Sequence, residues 1–179
     1  MATTTTRELF GGAITATTPT NLIDASDLRQ VPDNQEVFLF PDSSVSIILE
    51  VLQRVDAQDN DSAIRFHFDS LAHDNSADSA TVEAIVVLPN TRGDKTPSAV
   101  TLSGVQTVAK FNKSDRDQVR VLMGLYRIQE KPVDLVVTFN VPVRAQDKGA
   151  VDEDGWKQAQ AHFEAFVRSL RIVDFGLFA

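Results

Sequence analysis

Apolar and polar positions alternate most regularly between Val133 and Val143, where Val133, Leu135, Val137, Phe139, Val141 and Val143 share one parity. A period of two places alternate side chains on one face of a strand, so this segment reads as the clearest strand of the chain. Gln118 to Gln129 alternates in the same way, with Val119, Val121, Met123 and Leu125 on one face. Val100 to Phe111 does so with several small residues. The tracts 112–117 and 130–132 between these strands are short enough for antiparallel hairpins. Upstream, Val82 to Leu88 reads as a strand that Pro89 and Asn90 end, with 90–98 as a loop. Gln35 to Phe40 is an extended apolar and aromatic run, and Pro41 to Ser44 turns the chain after it.

The run from Val45 to Val55 fits two periods. As a strand, Val45, Ile47, Leu49, Val51 and Val55 share a face; as a helix, Val45, Ile48, Leu49, Leu52 and Val55 line up. Its β-branched residues favour a strand buried on both faces. Helical spacing is clearer at Ile64, Phe68 and Leu71, behind Asp59 or Asp61 as N-cap, while 73–80 is polar and poor in structural signals. The last helix starts near Asp152, and Trp156, Ala159, Phe163, Phe166, Val167 and Leu170 form its stripe, which reads as core. Glu153 and Asp154 suit its positive end, and Arg168 and Arg171 its negative end. Ile172 and Val173 read as a short edge strand. Between these elements and the N-terminus, Asp24 to Arg29 reads as about one helical turn capped by Asp24 or Ser26, and Val31-Pro32-Asp33-Asn34 stops it. Gly11 and Gly12 read as a turn into a strand at Ala13 to Thr15. The expectation is one α/β (α+β) domain over residues 9–179, preceded by a disordered tail at 1–8. Its centre is a mainly antiparallel sheet of about six strands, flanked by amphipathic helices.

Length and charge narrow the function classes. A chain of 179 residues can bury a sizeable core in one domain. A net charge of −8 disfavours nucleic acid or an anionic membrane as partner and suits a basic protein surface. Cysteine is absent, which removes disulfides and thiolate metal sites. The start of the chain lacks the apolar core of a signal peptide, and no window approaches a membrane span, so a soluble intracellular monomer is expected.

Candidate chemistry is sparse. Asn112-Lys113-Ser114-Asp115 matches the guanine-reading pattern N-K-x-D, but no phosphate loop accompanies it; Gly93-Asp94-Lys95-Thr96 has the wrong spacing, and the tract reads as a hairpin turn. Asp174-Phe175-Gly176 matches a kinase magnesium motif without any companion element. His67 and His73 do not share a helix face, His162 lies on another helix, and His67 and Asp69, two apart, do not face each other. No metal site, cofactor or hydrolase triad is expected. Asp24, Asp27, Asp33 and Glu36, in contrast, fall within one loop-helix-turn unit that offers neither nucleophile nor base. Capping and turn formation account for much of this cluster; recognition is the functional reading.

Gly11-Gly12-Ala13-Ile14, and then the block from Ile23 to Phe38, IDASDLRQVPDNQEVF, resemble the Ran guanine nucleotide release factor family of the Mog type. The likeness continues through Ser46 to Glu50, Phe66 to Asp69, Asp134 to Asn140 and Leu177-Phe178, in order and over nearly the whole chain. The resemblance implies the fold of the PsbP type, binding to the GTPase Ran, and promotion of guanine nucleotide release in support of nuclear import. It implies a regulatory binding protein rather than an enzyme, placed in nucleus and cytoplasm, with a Ran-binding cofactor protein left open as a further partner. It also implies Ran contacts at Asp24, Asp27, Asp33, Glu36 and Glu50. Gln53 stands where the family can carry an acidic residue. The alternatives are a small α/β enzyme or ligand-binding domain with a pocket near His67, or a passive adaptor of the same fold.

Overall fold

Residues 133–144, the most regular alternation, form the middle strand of a seven-stranded sheet. The computed structural model describes residues 3–109, 116–145 and 148–179. In chain order the strands are β1 (Thr4–Leu9), β2 (Ile14–Pro19), β3 (Ile23–Asp24), β4 (Gln35–Leu39) and β5 (Ser46–Gln53). Helix α1 (Asn60–Asp74) follows, then β6 (Ser79–Leu88), β7 (Ala99–Ala109), β8 (Arg116–Ile128) and β9 (Val133–Arg144). Helix α2 (Glu153–Ser169) and β10 (Arg171–Ile172) complete it. The large sheet has the order β3-β4-β5-β9-β8-β7-β6, and a second sheet has the order β1-β2-β10. Every pairing among the described residues is antiparallel.

The large sheet is covered on both faces. On one, Leu135, Val137, Phe139 and Val141 of β9 join Ile47 and Leu49 of β5 under α2 and the small sheet. Phe139 meets Phe163 and Phe166 edge-on, with ring centroids 5.3 and 5.9 Å away. On the other face, Val136, Met123, Leu102 and Val121 pack with Ala63, Ile64 and Phe68 of α1. Side-chain caps start both helices: Asp59 Oδ1 accepts from the Ser62 N–H at 2.7 Å and Asp152 Oδ1 from the Gly155 N–H at 2.9 Å. Gly104 lets α1 approach β7, because a Cβ there would lie 2.7 Å from both Phe68 Cζ and the Thr81 carbonyl oxygen.

The α+β class with a mainly antiparallel sheet flanked by helices therefore holds, and 45–55 is a strand, not a helix. Its Ile47 and Leu49 face is buried, whereas Ile48, Glu50 and Leu52 on the reverse face are half-buried. Four expectations change. The main sheet has seven strands rather than about six, and a separate three-stranded sheet sits beside it. The expected tail is a strand from Thr4 onward, paired from Thr4↔Pro19 to Leu9↔Ile14. Arg7 ties it down through Nε to Thr18 Oγ1 at 2.9 Å, and Leu9 is fully buried. The polar tract after His73 is shorter than expected, since α1 continues to Asp74 and β6 begins at Ser79. The short edge strand is Arg171–Ile172, one residue earlier than read, set by Ile172 pairing with Ile14. Asp174 Oδ1 accepts from the Gly176 N–H at 2.8 Å and so caps a 3-10 turn, a local structural task for the Asp-Phe-Gly tripeptide. The Asn112–Asp115 turn lies outside the described residues.

Candidate functional site

The acidic block folds around one end of β4. Asp24 ends β3 and caps the 3-10 turn Ala25–Asp27, its Oδ1 accepting from the Ser26 N–H at 2.9 Å and the Ser26 hydroxyl at 2.7 Å. Ala25 is fully buried and anchors that turn, leaving Asp27 exposed on it. After Pro32 the chain turns back, with the Gln35 N–H donating to the Pro32 carbonyl at 3.0 Å. Asn34 extends the β4–β5 ladder: its carbonyl accepts from the Val51 N–H at 2.9 Å, and its Nδ2 donates to the Val51 carbonyl at 3.1 Å. Asp33 is thereby left exposed at the tip.

Glu36 has a different environment. It is half-buried, and its Oε1 accepts from the Phe10 N–H at 3.0 Å. That bond braces the β1–β2 turn, where Phe10, Gly11 and Gly12 have φ of 50°, 67° and 94°. Phe10 is not a glycine, so its left-handed backbone is strained and needs such support. Burial raises the Glu36 carboxyl above the usual carboxylate range; the charge of Asp24 adds to this, and the Phe10 bond and Arg7 oppose it. Asp24, Asp33 and Glu36 border one concavity of about 310 Å³, and no lysine or arginine lines it among the described residues. Its chemistry is that of an acceptor for a partner's cations. Among the described residues no group of His, Asp and Glu could hold a metal.

Of the predicted contact residues, the structure gathers Asp24, Asp33 and Glu36, sets Asp27 on the turn outside the concavity lining, and places Glu50 elsewhere. In the β4–β5 register Glu36 faces Leu49 and Gln35 faces Glu50, so Glu36 and Glu50 lie on opposite faces of the sheet. Glu50 Oε2 accepts from Gln35 Nε2 at 2.9 Å and lines a groove against α1 together with Gln53.

That groove is also where the pocket near His67 lies. There His67 Nε2 meets Asp134 Oδ2 at 2.8 Å. Asp134 also accepts from Arg127 Nε at 3.1 Å and from the Val55 N–H at 3.2 Å. Arg127 in turn donates to the carbonyls of Val55 and Ala57, each at 2.6 Å. This buried network joins α1, β8 and β9 and has a structural job. Sequence reasoning missed it; the available signal was a carboxylate, Asp134, inside the most apolar strand.

The double duty of Glu36 leads to a test. Glu36→Gln keeps an acceptor for the Phe10 N–H and removes a half-buried charge. Its denaturant midpoint at neutral pH should equal or exceed that of the parent. Glu36→Ala leaves that N–H without its acceptor and should cost about 1 kcal/mol. The sign follows from the raised carboxyl: stability linked to its protonation is present at acid pH and lost as pH rises through the folded value. Equal destabilisation by both substitutions would remove the brace.

The family model described as Ran-interacting Mog1 protein matches residues 7–142. The Ran guanine nucleotide release factor of Danio rerio is 37% identical over 183 residues, spanning 96% of this chain and 98% of its own. Nuclear import protein MOG1 of Saccharomyces cerevisiae is 32% identical over 189 residues, spanning 96% and 84% respectively. The crystal structure of the Saccharomyces cerevisiae Ran-binding protein Mog1p matches over 100% of both chains with a TM-score of 0.74 and 28% identity. Sequence and architecture agree over the full length: the chain belongs to the Ran-interacting Mog1 family.

Proposed function

We propose that this chain binds the GTPase Ran and promotes release of its guanine nucleotide, in support of nuclear import. It acts as a regulatory binder in nucleus and cytoplasm, with the acidic concavity at its centre. The observation that carries this reading, beyond family membership, is the grouping of Asp24, Asp33 and Glu36 around one concavity that no lysine or arginine lines among the described residues. The names of the relatives support the same reading. Release requires tighter binding to nucleotide-free Ran than to loaded Ran, since only differential affinity shifts an equilibrium. Each ~1.4 kcal/mol of that difference weakens nucleotide binding tenfold.

The test reverses charge at the exposed tip and inside the concavity. Asp33→Lys alone leaves the Phe10 brace intact and should slow association and soften its salt dependence. Combined with Glu36→Lys it should weaken Ran binding at least about tenfold. Nucleotide release from loaded Ran is measured at low and moderate salt, after circular dichroism has confirmed the fold. A folded double variant that releases nucleotide at the parental rate under both conditions would take the concavity out of the interface.

A further inference from the structure

Acidic residues speed encounter, but a long-lived complex needs desolvated apolar anchors. The concavity has little to offer there. The groove on the reverse face has more. It measures about 340 Å³ and runs between α1 and β5, with Leu52, Val55, Leu71, Met123 and Val136 among its walls. Phe66, on its α1 side, is 56% exposed, an unusual position for a large aromatic ring. Glu50 and Asp74 also line it, and no lysine or arginine does among the described residues.

Three observations connect this groove to the acidic site and suit it to a ligand. First, the two are neighbours: Gln35 lines the concavity and its side chain donates to Glu50, which lines the groove. A single hydrogen-bonded pair on adjacent strands separates them. Second, this end of β4 is a sheet margin, because β3 pairs only with Leu39 and Phe38 and does not reach Gln35. A partner touching exposed Asp33 can therefore reach around the margin to both faces. Third, the groove is held open in a defined shape. His67, one of its lining residues, is pinned by Asp134, and Asp134 by Arg127, so α1 keeps a set position over β9.

We propose that the groove between α1 and β5 is a second contact for Ran, taking an apolar side chain flanked by a basic residue. This rests on the Ran-binding reading above and extends its footprint from the acidic concavity across the β4 margin. The apolar walls hold the anchor, Phe66 covers it from solvent, and Glu50 or Asp74 meets the cation. The concavity governs arrival and the groove governs residence.

The two roles separate kinetically. Ser70 lies half-buried on α1 and lines the groove, so Ser70→Trp fills it from the helix side. Phe66→Ala removes an exposed ring and leaves the core intact. Both are compared with Asp33→Lys and the parent by surface-immobilised kinetics on nucleotide-free Ran, after melting curves confirm folding. Ser70→Trp should raise the dissociation rate at least tenfold and Phe66→Ala several-fold, with both losses persisting at high salt. Asp33→Lys should act on association, and its effect should fade with salt. If folded Ser70→Trp and Phe66→Ala both dissociate like the parent while Asp33→Lys weakens binding, the groove lies outside the interface. If the parent itself fails to bind Ran, the underlying reading falls first, and the groove proposal with it.

Discussion

Asp134→Ala should destabilise the protein by about 3–5 kcal/mol, a large part of the ~5–15 kcal/mol that holds a domain together. Asp134 is fully buried, and Arg127 beside it is 5% exposed. Removing the carboxylate leaves a guanidinium in the interior without a counter-charge, and takes an acceptor from His67 Nε2 and from the Val55 N–H. The cost comes from stranding these groups more than from the lost attraction. Replacing Asp134, Arg127 and His67 together by apolar residues of similar volume should therefore cost much less than Asp134→Ala alone.

The same variant has a pH signature. Burial pushes the Asp134 carboxyl up, but the hydrogen bonds from His67, the Val55 N–H and Arg127, with the charge of Arg127, outweigh it and hold the carboxyl below its ordinary value. A depressed folded value contributes stability above the unfolded value, about 3.9, and loses it as pH falls toward the folded one. Urea midpoints of parent and Asp134→Ala should stay separated from neutral pH down to about pH 4 and converge below it. A gap that widened on acidification would contradict this linkage.

Phe163→Ala should cost about 3–5 kcal/mol through a cavity between α2 and the large sheet. The ring is 7% exposed and packs edge-on against Phe139. It also lies over Gly124, where a Cβ would sit 3.8 Å from Phe163 Cζ and only 2.9 Å from Cγ1 atoms of Val137 and Val167. Nothing nearby is free to fill the gap, since Val137 and Val167 are already in place against that glycine. Trp156, the single tryptophan, lies on the same helix and reports its detachment by fluorescence. A midpoint within experimental error of the parent would mean that α2 docks by some other face.

Much of the frame was legible along the chain because the elements that bury a face must repeat at the period of that face. β9, β8 and the α2 stripe are of this kind: Leu135, Val137, Phe139 and Val141 are buried with Phe163 and Phe166, as their spacing required. The helix starts were legible for a related reason, since a cap satisfies donors within three residues of itself. Of the paired candidates the structure uses Asp24 rather than Ser26 and Asp59 rather than Asp61, and the helix read as starting near Asp152 is capped by that residue. β1 was not legible. Its threonines carry β propensity but no apolar alternation, and only pairing with Thr15 to Pro19 and the Arg7 bond to Thr18 make a strand of a segment that reads as a tail.

For the site, the sequence by itself determined that the carboxylates from Asp24 to Glu36 share one loop-turn unit, because their separation is short. It also determined the family likeness through the same block. Tertiary structure alone decided how those carboxylates divide. Register set Glu36 toward the β1–β2 turn and Glu50 toward α1, since a pleated strand sends neighbouring residues to opposite faces and a pairing offset cannot be read from either strand alone. Likewise His67 meets the cross-strand pair Arg127 and Asp134 only because α1 packs on the face of the β8–β9 hairpin. His67 lies 67 residues from Asp134, and what joins them is the burial of apolar surface along α1 and the sheet, which leaves no local mark beside the charged residues themselves.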